Sequence, residues 1–257
     1  MTSTAALFEQ TAAHDIPAEH PLSRSEQVRI DATLALIPPG IETALDVGCG
    51  PGTLLHRLPI QRAYGTDLGW RGLRNVQRPA VRSSILQLPF ADASVDLVTC
   101  CEVLEHLPPA DVAAAVAELW RVARKAVLVT VPYREQLLES SHRCPQCKTE
   151  FHLHGHQQSL AEGDVLPLFP VDARLTVRRI WKVRPYSPLL LRARTRGLGL
   201  WKHGRHALCP ACGNTRFENH EGRLLYKVFG ALNHLRHPRR SQDNWLLVRA
   251  ERPGGEP

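Results

Sequence analysis

The 257-residue sequence has no apolar run of bilayer-spanning length, which excludes a helical membrane span. Its first residues, Met1 to Gln10, lack the basic start and long apolar stretch of a secretory signal. No internal repeat and no long low-complexity tract is visible. These absences predict a cytoplasmic protein with no membrane partner. Acidic residues are scarce toward the C-terminus. From Val171 onward there are 6 Asp and Glu against 18 Lys and Arg, a net +12, so the total of +7 leaves −5 for the rest. A basic C-terminal third suits an anionic partner or substrate, and it equally describes a solvated Arg-rich surface. The length fits one α/β domain with insertions, or one domain plus a small module, and an apolar content of 43% is enough for a sizeable core.

Disulfide chemistry is also unsupported. Cys49, Cys100 and Cys101 lie in apolar or Gly-rich context. The remaining four cysteines form two Cys-x-x-Cys pairs, Cys144/Cys147 and Cys209/Cys212. In a cytosolic chain that pattern favours metal over disulfide. Each pair offers two thiolates to one ion, and Lys148 or Gly213 after the second cysteine suits the turn. Together they predict a closed tetrahedral four-thiolate zinc site with a structural role. A mixed site using His142 or His152 remains open. The stretch between the pairs is long, so an insertion must return on itself.

The rhythm of the chain is β/α. Ser23 and Glu26 have the spacing of a capping box, and a helix should follow with Val28, Ile30, Leu34 and Ile37 largely on one face, ended by Pro38-Pro39-Gly40. Strands are expected at Thr43 to Val47, Ala63 to Thr66, Val81 to Leu86, Val95 to Thr99 and Ala126 to Val131. Helices are expected through Leu54, Leu55 and Leu58, over Trp70 to Val76, and over Asp111 to Arg124, the last with an apolar stripe of Val112, Ala115, Val116, Leu119 and Trp120. Beyond Pro132 the pattern weakens. Leu175 to Val183 and Trp245 to Ala250 read as late strands, a helical stretch is expected in Pro185 to Leu208, and Leu224 to Leu235 reads as a helix. The expected fold class is α/β, a doubly wound Rossmann-like parallel sheet with a zinc-knuckle insertion. The expected division is a lead-in or lid at 1–22, a core at 23–139, a zinc-stapled insertion with late core elements at 140–244, and a last strand and tail at 245–257.

Asp46-Val47-Gly48-Cys49-Gly50-Pro51-Gly52 follows a predicted strand and opens a predicted helix. Gly48 and Gly50 let the backbone approach a ligand closely, and a helix N-terminus after Gly52 would offer N–H groups to a carboxylate. A dinucleotide site would want G-x-G-x-x-G, and the third spacing is absent here. A tight strand-to-helix turn without ligand is the plainer alternative. Ala44 to Gly52 resembles the first motif of class I methyltransferases that use S-adenosylmethionine (SAM). Tyr64-Gly65-Thr66-Asp67 is similar to their second motif, and the stretch from Leu88-Pro89-Phe90 to Val98 to their third and fourth. The resemblance covers about residues 23–135. It implies SAM as cofactor, with Asp67 taking the ribose hydroxyls. The implied cofactor set is Asp46, Gly48, Cys49, Gly50, Gly52, Asp67, Leu68, Ser84, Ile85, Leu86 and Cys101. At the adenine end the family usually carries an acidic residue, and this sequence has Ser84.

After the fourth strand comes Glu102-Val103-Leu104-Glu105-His106. On a helical turn Glu102, Glu105 and His106 share a face. Two carboxylates and an imidazole can hold a second divalent cation, or can supply a general base with His106 accepting the proton. Helix capping and packing is the bland alternative. The segment resembles the ubiquinone-pathway O-methyltransferases, and also the small-RNA 3′-end methyltransferases. In the latter, Glu-x-x-Glu-His plus a distant His binds a metal, and His152, His154 or His156 is available for that part. Phe151 to His156 follows the first knuckle, and His156 is the favoured pocket residue. The reading is therefore a SAM-dependent methyltransferase of the small-molecule type. It would methylate an O or N nucleophile, in specialised metabolism, with His106, Glu102, Glu105 and His156 at the acceptor. The alternatives are an RNA 2′-O-methyltransferase and a non-catalytic zinc-dependent binding module.

Overall fold

A computed structural model describes residues 21–202, 207–236 and 241–254. The expected lead-in at 1–22 lies almost entirely outside the described residues. Helix α1 (Arg24–Leu34) begins as its sequence dictates. The Ser23 side chain accepts from the Glu26 amide, and the Glu26 carboxylate accepts from the Ser23 amide at 2.8 Å.

Strands β1 (Thr43–Val47), β2 (Arg62–Asp67), β3 (Ala80–Arg82), β4 (Val95–Cys101) and β5 (Ala123–Pro132) form the parallel part of one sheet. Two more strands, β8 (Arg174–Val183) and β9 (Gln242–Glu251), complete it in the order β3-β2-β1-β4-β5-β9-β8. The sheet is mixed rather than wholly parallel, because β9 runs antiparallel to both β5 and β8. A hairpin of β6 (Ser141–Arg143) and β7 (Glu150–His152) stands apart.

Both faces of the sheet are covered, so its central strands are apolar on both sides. Leu45, Val47, Val98, Val127, Val129, Leu246 and Val248 face helix α3 (Val112–Val122), where Val112, Ala115, Val116 and Leu119 are buried and Trp120 is half-buried. Ala44, Leu97, Ala126, Leu128 and Leu247 face the other way, against Ile30, Leu36, Leu55 and Leu58. The outer strand β8 is largely exposed and carries Arg174, Arg178, Arg179 and Lys182, which discourage pairing along that free edge. No helix among the described residues is long and apolar enough to cross a membrane.

Three local expectations are corrected. The helix expected after the glycine loop is one 3₁₀ turn, Leu55–Arg57. Leu58 precedes Pro59, which disfavours the helical region, and its ψ is 125°. The strand expected over Val81 to Leu86 stops at Arg82. There Ser83 Oγ meets Thr66 Oγ1 at 2.5 Å, and Ser84 Oγ accepts from the Leu86 amide at 3.2 Å, so serine hydroxyls turn the chain. Helix α2 covers only Trp70–Leu73, and the chain continues in i→i+3 bonds to Asn75 and Val76.

Two excursions flank β8. The first, 133–173, carries the β6–β7 hairpin and a short helix α4 (Glu162–Val165). The second, 184–241, carries α5 (Pro188–Arg192), a π-helical turn at Ala193–Gly197, and α6 (Leu224–Arg236). They share a small aromatic core in which His142 packs against Phe151, Trp201, Phe217 and His220.

Candidate functional site

The register of β1 against β2 and β4 brings Val47, Asp67 and Cys101 to one C-terminal edge, where open α/β sheets bind ligands. Gly48, Gly50 and Gly52 have φ of 72°, 51° and 90°. The amides of Gly48 and Cys49 both donate to Thr66 O, at 2.7 and 3.0 Å, and fix the loop over β2. A Cβ at Gly48 would overlap Val103 Cγ2, whereas a Cβ at Gly50 would meet nothing within 4 Å. The loop is thus wedged from behind and open at Gly50.

Asp67 closes the other side. Its Oδ2 accepts from the Gly50 amide at 2.8 Å and its Oδ1 from the Gly69 amide at 2.7 Å. Each oxygen keeps a second lone pair. Leu68 is half-buried beside it, and the Ser84–Ile85–Leu86 turn follows directly, with the Ser83 amide donating to Asp67 O at 3.0 Å. Asp46 lies deeper, 2% exposed, and accepts from Thr99 Oγ1 at 2.7 Å. Burial pushes its carboxyl up to about 7, against the opposing Thr99 hydroxyl. Burial likewise pushes the Cys101 thiol up to about 12 and the Cys49 thiol higher still, so both are neutral thiols near pH 7.

The turn after β4 divides the acidic motif in two. Glu102, at φ 59°, takes hydrogen bonds from Thr130 Oγ1 at 3.0 Å and Trp245 Nε1 at 2.9 Å. Glu105 and His106 instead sit in a 3₁₀ turn, Leu104–His106, beneath the His-rich segment. Gln157 and Gln158 strap that segment down, with the Gln157 amide donating to Glu105 O at 2.8 Å and Gln158 Nε2 to Leu104 O at 3.1 Å. Glu105 is 1% exposed, and neither carboxylate oxygen has a hydrogen-bond partner among the described residues. Burial, then the nearby Glu102 charge, raises its pKa well above the usual range. Burial, then the charge of His156, lowers His106 to about 3, so it is a neutral imidazole at pH 7.

His156 comes to this pair from the segment after β7. Its ring centroid lies 4.7 Å from that of His106, edge to face. His156 Nδ1 meets Glu135 Oε2 at 2.5 Å, and His152 Nε2 lies 3.3 Å from Glu135 Oε1. Burial would raise Glu135, but the two imidazoles outweigh it and hold the carboxyl down at about 2. Sequence reasoning missed Glu135. The available signal was its place three residues past β5, on the same C-terminal edge as Glu105. The ligand atoms of Glu105, His106 and His156 lie within 4.8 Å of one another, as do those of Glu135, His152 and His156, so the group is geometrically consistent with a metal site. A cavity of about 500 Å³ adjoins it, lined in part by Phe151, His152, His156, Leu191, Arg192 and Arg196.

The four knuckle cysteines meet as expected. Cys144 and Cys212 sulfurs are 3.6 Å apart and Cys147 and Cys209 sulfurs 3.5 Å, with all four within 4.8 Å. Thiolates about 2.3 Å from one tetrahedral zinc stand roughly 3.8 Å apart, so the set fits the ion. The two knuckles have the same build. The Lys148 amide donates to Cys144 O at 3.0 Å and the Gly213 amide to Cys209 O at 2.9 Å, with Lys148 and Gly213 at φ 65° and 71°.

Residues 45–143 match the family model described as a methyltransferase domain. The chain is 36% identical over 126 residues to the demethylmenaquinone methyltransferase of Roseiflexus sp. (strain RS-1), covering 43% of this chain and 52% of that protein. It is also 36% identical over 114 residues to the ubiquinone biosynthesis O-methyltransferase of Albidiferax ferrireducens, covering 38% and 45%. The chain thus spans about half the length of the curated relatives it matches. Among solved structures it resembles magnesium protoporphyrin IX methyltransferase from Synechocystis PCC 6803 with bound SAM. The TM-score is 0.54 at 13% identity, covering 98% of each chain. A SAM-dependent methyltransferase from Archaeoglobus fulgidus gives a TM-score of 0.54 at 15% identity, covering 90% of this chain and 95% of that one. The fold is that of the class I SAM-dependent methyltransferases.

Proposed function

We propose that this protein is a SAM-dependent methyltransferase that methylates an O or N nucleophile of a small molecule, in specialised metabolism. The observation that carries the reading is the glycine loop, held open at Gly50 and faced by the Asp67 carboxylate at the C-terminal edge of a class I sheet. The residues present fit the cofactor, since the space a Gly50 Cβ would occupy is free and Asp67 retains unused lone pairs. When bound, SAM supplies a methyl group activated by a sulfonium. Gly48, Cys49, Gly50 and Gly52 give it close backbone approach. Asp67 accepts the ribose hydroxyls, Leu68 and the Ser84–Ile85–Leu86 turn flank the adenine, and Asp46 and Cys101 back the methionine end.

On the acceptor side, Val103 packs against Gly48, so Glu105 and His106 lie one turn from the loop. Catalysis is chiefly alignment of the nucleophile with the methyl carbon. His106, with Glu105 and His156 beside it, is the group placed to meet the acceptor and its proton. Glu102 fixes the turn through Thr130 and Trp245. In this arrangement residues 23–139 serve the donor. Residues 140–244, held by structural zinc on Cys144, Cys147, Cys209 and Cys212, shape the acceptor pocket. The names of the quinone-pathway relatives support a small acceptor. Isothermal titration with SAM tests the reading: micromolar binding is expected, and no heat at millimolar SAM overturns it.

An RNA 2′-O-methyltransferase is the second reading. It is favoured by the net charge of +12 from Val171 onward and by the meeting of Glu105 and His106 with a distant His156. Affinity for single-stranded RNA that falls steeply with salt would support it, and a slope near zero would remove it.

A further inference from the structure

We infer that the outer face of helix α6 docks on an anionic lipid surface, with its apolar stripe in the interface and its basic residues against the headgroups. The inference does not depend on the methyltransferase reading.

The first argument is the orientation of α6 (Leu224–Arg236), which turns its apolar side away from the protein. Leu224 and Leu235 are 79% and 74% exposed, and Leu225, Leu232 and Val228 are 46%, 44% and 40% exposed. At about 3.6 residues per turn these five fall within about 100° of the helix circumference and run along about three turns. Single exposed leucines are ordinary, but a contiguous apolar stripe marks an interaction site.

The opposite side of the helix is fixed. The Ser187 amide donates to Asn233 Oδ1 at 2.7 Å, and Asn233 Nδ2 donates to Pro185 O at 3.3 Å. The Arg194 guanidinium lies 4.5 Å from the centre of the Tyr226 ring. Tyr226 and Asn233 lie across the helix from the stripe, so a rotation that buried the leucines would break these contacts.

The second argument is charge, which sets the occupant. No acidic residue occurs between Arg223 and Gln242, while Lys227, Arg236, Arg239 and Arg240 are basic. Lys227 is exposed beside the stripe; Arg223 is exposed too, but Glu218 holds it at 2.7 Å. An apolar stripe accompanied by cations is the composition of a helix that lies in the plane of a membrane interface. Its leucines enter the acyl boundary and its cations meet anionic headgroups. Such a helix needs no spanning segment. A second copy of this chain fits less well, because a two-fold pairing of the face would bring two sets of cations together. Nucleic acid would use the cations and leave the leucines in water.

Ser187 immediately precedes α5, whose Pro188, Leu191 and Arg192 line part of the 500 Å³ cavity. A docked α6 therefore fixes the orientation of that cavity relative to the lipid surface.

The test is co-sedimentation of the purified full-length protein with sucrose-loaded vesicles. Vesicles of phosphatidylcholine with about 30% phosphatidylglycerol are expected to bind at least about tenfold more tightly than phosphatidylcholine alone. About 0.5 M salt should remove most of that difference. Leu224→Gln combined with Leu235→Gln removes apolar surface at constant charge. It should keep the melting temperature and weaken binding at least about tenfold on the anionic vesicles. Lys227→Gln should weaken it roughly fivefold on the same vesicles and leave binding to phosphatidylcholine unchanged. No sedimentation of the wild type with either vesicle overturns the proposal. So does equal binding to the two compositions, or wild-type binding in both variants. A dimer in sedimentation equilibrium that the leucine double variant dissociates gives the face to a second copy, and overturns it as well.

Discussion

Trp245 Nε1 donates a 2.9 Å hydrogen bond to Glu102 Oε2, joining residues 143 apart in the chain. Thr130 Oγ1 reaches the other oxygen at 3.0 Å. The antiparallel strand β9 and the parallel strand β5 are thereby tied to the turn that presents Glu105 and His106. Trp245→Phe removes the donor and keeps one six-membered aromatic ring. It is expected to cost about 1 kcal/mol in denaturant unfolding, the net worth of a hydrogen bond to a half-buried partner. SAM affinity should stay within a factor of two. A Trp245→Phe protein as stable as the wild type would show that the bond carries no weight.

The two loop glycines should fail differently. Gly48→Ala would drive a methyl into Val103 and force positive φ, so it is expected to lower stability by several kcal/mol. Adding Val103→Ala should recover part of that loss. Gly50→Ala meets no atom within 4 Å and bears mainly the strain of φ 51°, about 1–2 kcal/mol. Its methyl occupies the proposed cofactor space, so SAM affinity should fall at least tenfold in calorimetry. Equal SAM affinity in Gly50→Ala and wild type would place the cofactor elsewhere.

Much of this was legible in the sequence because it was local. The Ser23–Glu26 capping box, β1 at Thr43–Val47 and the α3 stripe each follow from residues within one turn or one strand. The cysteine pairs were legible because each knuckle is a short self-contained turn. What depended on distant partners was not. Nothing around Glu102 in the sequence shows that β9 brings Trp245 to its carboxylate. Glu135 has no motif around it, and only folding of 152–156 onto the C-terminal edge gives it two imidazoles. The Leu58-Pro59 step was visible, yet the apolar spacing of Leu54, Leu55 and Leu58 outweighed it in the reading.

Acid should loosen the back of the sheet at Asp96. Burial would raise this carboxyl, but amide donors from Glu42 and Thr43 and the Arg124 guanidinium outweigh it and hold it at about 2, against an ordinary 3.8. The folded pKa is depressed, so the stabilisation is present above about 4 and is lost as pH falls toward about 2. Its size is about 2 kcal/mol from the shift, less at high salt because Arg124 is half-exposed. Asp96→Asn should remove this part of the acid sensitivity. A variant whose stability falls as steeply as the wild type between pH 4 and 2 would assign the acid step to another group.

Removing zinc should loosen the acceptor half and spare the donor half. The sulfur pairs link Cys144 to Cys212 and Cys147 to Cys209, 68 and 62 residues apart, across the two excursions that flank β8. Closing a loop of that length costs about 4 kcal/mol, and a four-thiolate zinc would contribute roughly 10–16 kcal/mol, so loss of the ion should weaken the docking of the excursions. Without it, the links left between the excursions include the paired Gln136–Tyr186 hydrogen bonds at 2.8 and 2.6 Å, Arg196 to Glu150 at 2.9 Å and the aromatic packing of His142 on Trp201, Phe217 and His220. Cys212→Ser and Cys144→Ser should therefore behave alike despite their different exposure. Limited proteolysis read by mass spectrometry should show cuts within 133–173 and 184–236, while 43–132 stays protected. SAM binding should persist, since Gly50 and Asp67 lie on the protected side, but methyl transfer should be lost. Cleavage spread evenly along the chain would mean that the zinc site and the sheet unfold as one unit.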